Sequence, residues 1–350
     1  MTELEIAKLP MFSEKNHCYI IAEIGNNHQG ELKIAKEMFE VAKDCGVDAV
    51  KLQKRDNKSL YTQAAYDKPY ENRNSYGETY GEHRDFLEFG IEEYRELKSH
   101  AKELGLDFIV TAFDISSADF LEEVGIDAYK IASGDLTSTP LLKHVARKGI
   151  PVILSTGGGQ IEDIKRAYDA IIPINKELCI LQCTAAYPAE PKDLNLSVIT
   201  QLKEMFPDIV IGLSDHENGI AMAVGAYVLG ARVVEKHFTL NHTWKGTDHA
   251  FSLEPTGFNK LVRDLRRLPQ ALGSGKKHVI DLEKEPIKKM SKSIYAALDL
   301  QAGHTIVETD LAFKSPGSGL PLYEIDNVIG KVLGTNVVQD AVITFEMLCE

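Results

Sequence analysis

The sequence predicts an α/β protein: a (β/α)8 barrel followed by a small, mostly-β domain. Three observations predict it. Eight short apolar stretches recur along the first 240 residues, and each ends in polar residues. Stretches with helical spacing lie between them. Past residue 290 the pattern changes to short β-rich runs broken by turns. Eight strand–helix alternations are what a barrel needs, and its strand C-termini all open on one face, where active sites sit.

The expected strands, in order, are CYIIAEIG (18–25), DAVKLQK (48–54), DFIVTAF (107–113), DAYKIAS (127–133), PVILS (151–155), CILQCT (179–184), IVIGLSDH (209–216) and ARVVEKH (231–237). Helices are expected near 31–45, 91–104, 116–124, 138–148, 160–171, 195–205, 218–229 and 256–271. In the first helix Leu32, Ala35, Met38, Phe39 and Ala42 repeat at helical spacing and form one apolar stripe. Gly46 follows where a left-handed cap is common. Residues 1–17 read as a small lid at the barrel's N-terminal end. The long polar connection 55–90 breaks the pattern; a structureless connection of that length is functional or disordered, and its many aromatics and few prolines favour a substrate-facing lid. The domains are therefore 1–275 (barrel), 276–292 (charged linker) and 293–350 (β-domain).

Hydrophobic residues make up 44% of the 350-residue chain and charged residues 26%, as in a soluble globular protein. The net charge of −13 disfavours nucleic acid and anionic lipid as partners. No apolar run reaches the length of a membrane span, and MTELEIAKLP lacks the features of a signal peptide. Cys18, Cys45, Cys179, Cys183 and Cys349 show no paired spacing and read as buried small residues. A reducing cytoplasm is the expected location.

Strand side chains alternate between faces with period two. Lys51 shares a face with Gln53, Glu235 with His237, and Glu23 with Ile21. Burying Lys51 and Lys130 is costly unless an anion meets them. Either they pair with Glu23 or Glu235 inside the barrel, or they hold an anionic ligand. Ser133-Gly134, Ser155-Thr156-Gly157-Gly158-Gly159 and Thr184 follow three consecutive strands and could offer hydroxyls and backbone N–H groups to phosphate or carboxylate. His216 and His237 end adjacent strands, with Asp248 and His249 just beyond, and form a candidate site for a divalent metal. His28 reads as a helix cap or a substrate contact.

The segments AEIGNNHQG, VKLQK, YKIASGD, ILSTGG, LQCTAAYP, GLSDHENG, EKHFTL and KGTDHAFSLEP resemble those of the sialic acid (N-acetylneuraminate) synthases. FKSPGSGL and IGKVL resemble their C-terminal antifreeze-like (SAF, β-clip) domain. The resemblance covers nearly the whole chain, and implies a metal-dependent transferase built on a TIM barrel. It would condense phosphoenolpyruvate with an N-acylmannosamine-type sugar, breaking the C–O bond to release phosphate. N-acetylmannosamine is the first acceptor to expect; the alternative is its 6-phosphate, giving the 9-phosphate product, or a relative giving another nonulosonic acid. The resemblance places the phosphoenolpyruvate on Lys51, Thr111, Lys130, Ser133, Ser155, Ser214 and the neighbourhood of Ala185. It places a manganese or magnesium ion on His216 and His237, and the sugar on Glu23, Gln53, Tyr187, Glu235 and Asp248. Asp135 and Thr184, inside the matching motifs, join the substrate-binding set; Glu23, Lys51 and Lys130 are the catalytic candidates. It also implies a homodimer in which each SAF domain caps the partner's barrel.

Two positions depart from the pattern of the bacterial members that act on the free sugar: Ser315 stands where they often carry an Arg before the capping domain's Pro-Gly, and Ala185 where they often carry Asn. SYGETYGEHRDFLEF resembles the branch that uses the phosphorylated sugar, with Arg73, His83 and Arg84 as candidates to meet the phosphate. Two competing readings remain. A Schiff-base pyruvate aldolase would use Lys51 or Lys130 as nucleophile. A sugar- or ice-binding protein would need no such crowd of polar strand ends.

Overall fold

The computed structural model describes residues 17–349. The expected N-terminal lid (1–17) lies almost wholly outside them. The chain divides into two compact units, Met1–Leu272 and Gly273–Glu350.

In the first unit eight parallel strands close a barrel in sequential order: β1 (Tyr19–Gly25), β2 (Ala49–Lys54), β3 (Asp107–Ala112), β4 (Ala128–Ile131), β5 (Val152–Ser155), β6 (Leu178–Cys183), β7 (Val210–Asp215) and β8 (Val233–His237). Helix α1 (Leu32–Asp44) follows β1 and buries Ala35, Met38, Phe39 and Ala42, the stripe read from its spacing. The connection after β2 is not structureless. It holds three short helices, α2 (Asn57–Leu60), α3 (Gln63–Tyr66) and α4 (Tyr80–Phe86), before α5 (Ile91–Leu104). Local capping explains them: Asp56 accepts from the Ser59 N–H, Thr62 from Ala65, and Thr79 with Glu82 closes a capping box. Tyrosines tie the pieces together, Tyr80 lying edge-on to Tyr61 (5.2 Å) and Tyr70 (5.3 Å). The barrel's remaining helices are α6 (Ile115–Val124), α7 (Thr139–Ala146), α8 (Ile161–Ile171), α9 (Val198–Met205), α10 (Ala221–Leu229) and α11 (Pro255–Leu272).

Alternation along the strands sorts their side chains into three sets. Outward residues such as Ile20, Val50, Phe108, Tyr129, Leu154, Ile180 and Val234 pack under the helices in the main core. Inward residues at the lower level, Tyr19, Ile21, Ala49, Ile109, Ala128, Ile153, Cys179, Leu181 and Val233, fill the barrel as a dry plug. Two residues further along the same inward faces stand Glu23, Lys51, Thr111, Lys130, Ser155 and Glu235. The polar set is thus the top layer of the barrel interior. Gly212 permits a close approach in the plug: a Cβ there would meet the Val233 carbonyl oxygen at 2.4 Å.

One outward pair is charged. Lys236 and Asp215, each about 1% exposed, form an ion pair of 2.7 Å between β8 and β7. Lys236 also donates to the Glu217 carbonyl, and the Glu217 N–H to Asp215 (3.0 Å). The pair therefore ties both strand ends to the loop after β7.

In the second unit, the segment expected as a plain linker carries helix α12 (Asp281–Met290), which buries none of its residues. Beyond it, β9 (Ser293–Ala296) pairs antiparallel with β10 (Leu311–Lys314), and β11 (Val332–Leu333) with β12 (Leu348–Cys349). Ile294, Leu300, Ile306, Val328, Leu333, Val337 and Ile343 form a separate small core. The four cysteines in the barrel are buried and free, and Cys349 is exposed and free. Among the described residues no helix is long and apolar enough to cross a membrane.

Candidate active site

The strand C-termini open into a cavity of about 540 Å³. Its floor is the polar top layer. Lys51 sits between two carboxylates, 2.8 Å from Glu23 and 3.5 Å from Glu235, and donates to the Thr111 hydroxyl (3.0 Å). Lys130 donates to the Ser155 hydroxyl (2.7 Å) and lies 3.6 Å from Glu235. The lysines pair with Glu23 and Glu235 inside the barrel, and they also line the cavity. Burial opposes the charge on Lys51, but Glu23 and Glu235 outweigh it and hold its ammonium above the usual range. Burial and the repulsion of Lys51 push Lys130 below it, against the pull of Glu235. Burial would raise the Glu235 carboxyl, yet Lys130 and Lys51 hold it below the carboxylate range. Glu235 is thus an ionised counter-charge. Glu23 accepts from Gln53 through its other oxygen (2.6 Å), so its orientation is fixed from both sides.

The histidines line the same cavity. The ring centroids of His216 and His237 are 5.5 Å apart, and Tyr187 packs 4.2 Å from His216. His216 Nδ1 lies 2.8 Å from the Thr184 carbonyl oxygen. A carbonyl only accepts, so Nδ1 carries the proton and Nε2 keeps a bare lone pair. Burial, followed by His237, pushes His216 down to about 3, so the ring stays neutral. His237 Nδ1 is buried without a hydrogen-bond partner among the described residues, with Asp248 4.0 Å away. The bare Nε2 of the neutral His216 and the orphaned Nδ1 of His237 fit a divalent ion whose other positions are left to water or substrate oxygens. Among the described residues no group of three or more His, Cys, Asp or Glu side chains is placed to hold a metal ion, so the histidine pair stands without a third such ligand.

Glu23, Lys51, Gln53, Thr111, Lys130, Ser133, Ser155, Tyr187, Ser214, His216, Glu235, His237 and Asp248 all line the cavity. Two expected contacts do not. Thr184 turns its hydroxyl to the Asp193 carbonyl (3.0 Å) and meets His216 only through its own carbonyl, so it orients that ring instead of reaching the cavity. Asp135 ends a single 3-10 turn off the lining; burial and then Asp114 push its carboxyl up to about 6. The glycine cluster is also corrected. Gly157 gives its N–H to the Ser133 hydroxyl (2.9 Å), and Gly134 alone of these glycines lines the cavity.

In the connection after β2, Arg73 is exposed, and His83 is buried among Tyr70, Tyr76 and Tyr80. Burial pushes His83 down to about 4, which removes it as a cation. Arg84 does line the cavity. So do Asn26, Arg55, Phe113, Thr247 and Phe251, which the sequence reading missed. Arg55 was within its reach, because the alternation that pairs Lys51 with Gln53 extends to it. His28 lies off the cavity, stacked 4.4 Å from Phe89. Ser315 donates to the Met290 carbonyl within its own unit (3.2 Å).

The NeuB family matches residues 38–277, and the SAF domain matches 291–348. The chain is 41% identical over 348 residues to the N-acetylneuraminate-9-phosphate synthase of Homo sapiens, spanning 99% of this chain and 97% of that one. It is 35% identical over 328 residues to the N,N'-diacetyllegionaminic acid synthase of Campylobacter jejuni, spanning 93% and 98%. Among solved structures it is similar to the N-acetylneuraminic acid (sialic acid) synthetase of Leptospira borgpetersenii in complex with citrate, with TM-score 0.68 and 33% identity over 78% of this chain and 91% of that one. With the closed barrel, its polar top layer and the small β-domain in the same order, the chain belongs to the NeuB family of sialic acid synthases and is a transferase.

Proposed function

We propose that the protein condenses phosphoenolpyruvate with N-acetylmannosamine 6-phosphate and water to give N-acetylneuraminate 9-phosphate and phosphate. The observation that carries the chemistry is that two sets of groups line one cavity. Lys51 and Lys130, each beside a hydroxyl, offer an anion-holding floor; His216 and His237, ring centroids 5.5 Å apart, offer two imidazoles to a divalent ion in the same cavity. The phosphorylated acceptor displaces the free sugar expected first, because the 41% identical human relative is a 9-phosphate synthase.

In this reading Lys51, Lys130, Thr111 and Ser155 fix phosphoenolpyruvate with its C3 toward the acceptor. A divalent ion held by His216 and His237 would act as a Lewis acid on the aldehyde oxygen. Glu235, kept ionised, balances the two lysines and favours positive charge developing at C2. Glu23, held by Lys51 and Gln53, transfers the proton of the water that adds at C2. Loss of phosphate then breaks the C–O bond. The homodimer with exchanged SAF caps belongs to the same reading: a truncation after Met290 loses turnover, and full turnover in that truncation would remove the cap role.

The test is phosphate release from phosphoenolpyruvate with manganese, comparing N-acetylmannosamine with its 6-phosphate, the product confirmed by mass. Higher kcat/KM for the 6-phosphate supports the reading; turnover of the free sugar alone overturns it. The aldolase alternative rests on Lys130, whose ammonium is held below its usual range. Borohydride trapping of pyruvate on the chain would establish that alternative.

A further inference from the structure

The cavity lining carries four cations, Lys51, Lys130, Arg55 and Arg84, against three carboxylates, Glu23, Glu235 and Asp248. In a chain of net charge −13 this cavity is net positive. The two lysines are matched by Glu23 and Glu235. The arginines are not matched in that way.

Arg55 is 7% exposed, and its guanidinium stacks 3.8 Å from the centre of the Phe113 ring. Its Nη2 donates to Gln53 Oε1 (2.6 Å). Its Nη1 is buried and has no hydrogen-bond acceptor among the described residues. The Glu88 Oε1 atom is 3.9 Å from that nitrogen, and Glu88 already takes Lys54 (3.0 Å) and the Arg55 N–H (3.2 Å). Arg84 sends Nε and Nη2 to the single Tyr80 hydroxyl (3.1 and 2.9 Å), a neutral partner. Two guanidinium groups facing one cavity repel each other, and each has donors to spare. With Glu88 no nearer than 3.9 Å to the buried Arg55 guanidinium and only a neutral partner on the half-buried Arg84, such a pair is costly without an anion, and planar guanidinium forks suit the oxygens of phosphate.

We infer that Arg55 and Arg84 form a clamp for the phosphate monoester of the acceptor sugar, at the cavity wall away from the lysine floor. The inference rests on the proposed acceptor and adds the residues that read it. It also links recognition to chemistry. Arg55 holds Gln53 Oε1, and Gln53 Nε2 holds Glu23 Oε1, so one three-residue chain joins the clamp to the proton-transfer carboxylate. A phosphate on Arg55 fixes Gln53 and, through it, Glu23.

The test uses N-acetylmannosaminitol 6-phosphate, which has no aldehyde and cannot react, and its unphosphorylated alditol as the control. Binding to the full chain is measured by calorimetry. Losing one charge-assisted phosphate contact should weaken the phosphorylated probe about 10- to 100-fold in Arg84→Gln, with the control unshifted. Arg84→Lys should recover part of the loss. Arg55→Met, which keeps much of the packing on Phe113, should match Arg84→Gln if it folds; Arg84 is half-buried on a short helix and carries the test alone if it does not. Equal binding of the phosphorylated probe to wild type and Arg84→Gln overturns the clamp. The acceptor reading fails separately, by turnover of the free sugar alone, and that result leaves the binding comparison intact as a test of the clamp.

Discussion

Replacing Lys236 by Met isolates the buried charge pair behind the cavity. Lys236 and Asp215 are each about 1% exposed and 2.7 Å apart. Removing the lysine leaves the Asp215 carboxylate in the interior with the Glu217 N–H as its remaining partner, and leaves the Glu217 carbonyl without this donor. Breaking one side of such a pair costs about 3–5 kcal/mol. At about 2.1 cal/mol/K per residue, a unit the size of Met1–Leu272 has an unfolding entropy near 0.6 kcal/mol/K, so the barrel transition should fall by about 5–9 °C. The double variant Asp215→Leu/Lys236→Met removes both charges and should recover most of the loss, since half-buried Glu217 can turn its free groups to water. The pH dependence has a defined sign. Burial already raises the Asp215 carboxyl, and losing Lys236 raises it further. The folded state then binds a proton that the unfolded state has released, so the penalty relative to wild type shrinks as pH falls. Scanning calorimetry of wild type, single and double variants at several pH values checks this. A single variant within about 2 °C of wild type, or a double variant as unstable as the single one, would refute the reasoning.

Glu23→Gln should keep the fold and lower kcat by about 100- to 10,000-fold if Glu23 transfers the proton; near-normal turnover would remove it from that role. His216→Ala and His237→Ala should each lose bound manganese, measured by elemental analysis of the purified protein; unchanged metal in both variants would end the assignment. His28 is buried and pushed down to about 3, first by desolvation and then by His249, while His83 and His249 are each held near 4. Histidines kept neutral in the fold stabilise it fully above their unfolded pKa near 6.5, and that stability is lost as pH falls toward 4 and 3. The unfolding temperature should therefore drop below about pH 6.5, with a shallower acid limb in His28→Gln; an identical limb would exclude His28 as a contributor.

Much of the site was legible because strand facing is a local property. A residue two positions from an inward apolar residue is itself inward, so Glu23, Lys51, Thr111, Lys130, Ser155 and Glu235 follow from spacing once the barrel is recognised. Arg55 was equally legible on Gln53's face. Thr184 was not, because its hydroxyl follows the path of the loop that brings the Asp193 carbonyl to it. The three helices after β2 were partly legible, since T-Y-G-E is a capping box in plain sight.

The sequence by itself determined the eight alternations, the apolar helix stripes, the polar strand ends and the β-rich tail, because periodicity and capping act over a few residues. The tertiary structure alone decided how those polar ends divide their partners. Closure of the barrel sets Lys51 between Glu23 and Glu235, turns His216 by the Thr184 carbonyl, and leaves Arg55 and Arg84 facing the cavity without a full set of acceptors. Those relations join residues as far apart as 184 positions in Lys51 and Glu235. Charge and hydrogen-bond matching depends on distance in space, and no spacing along the chain encodes it.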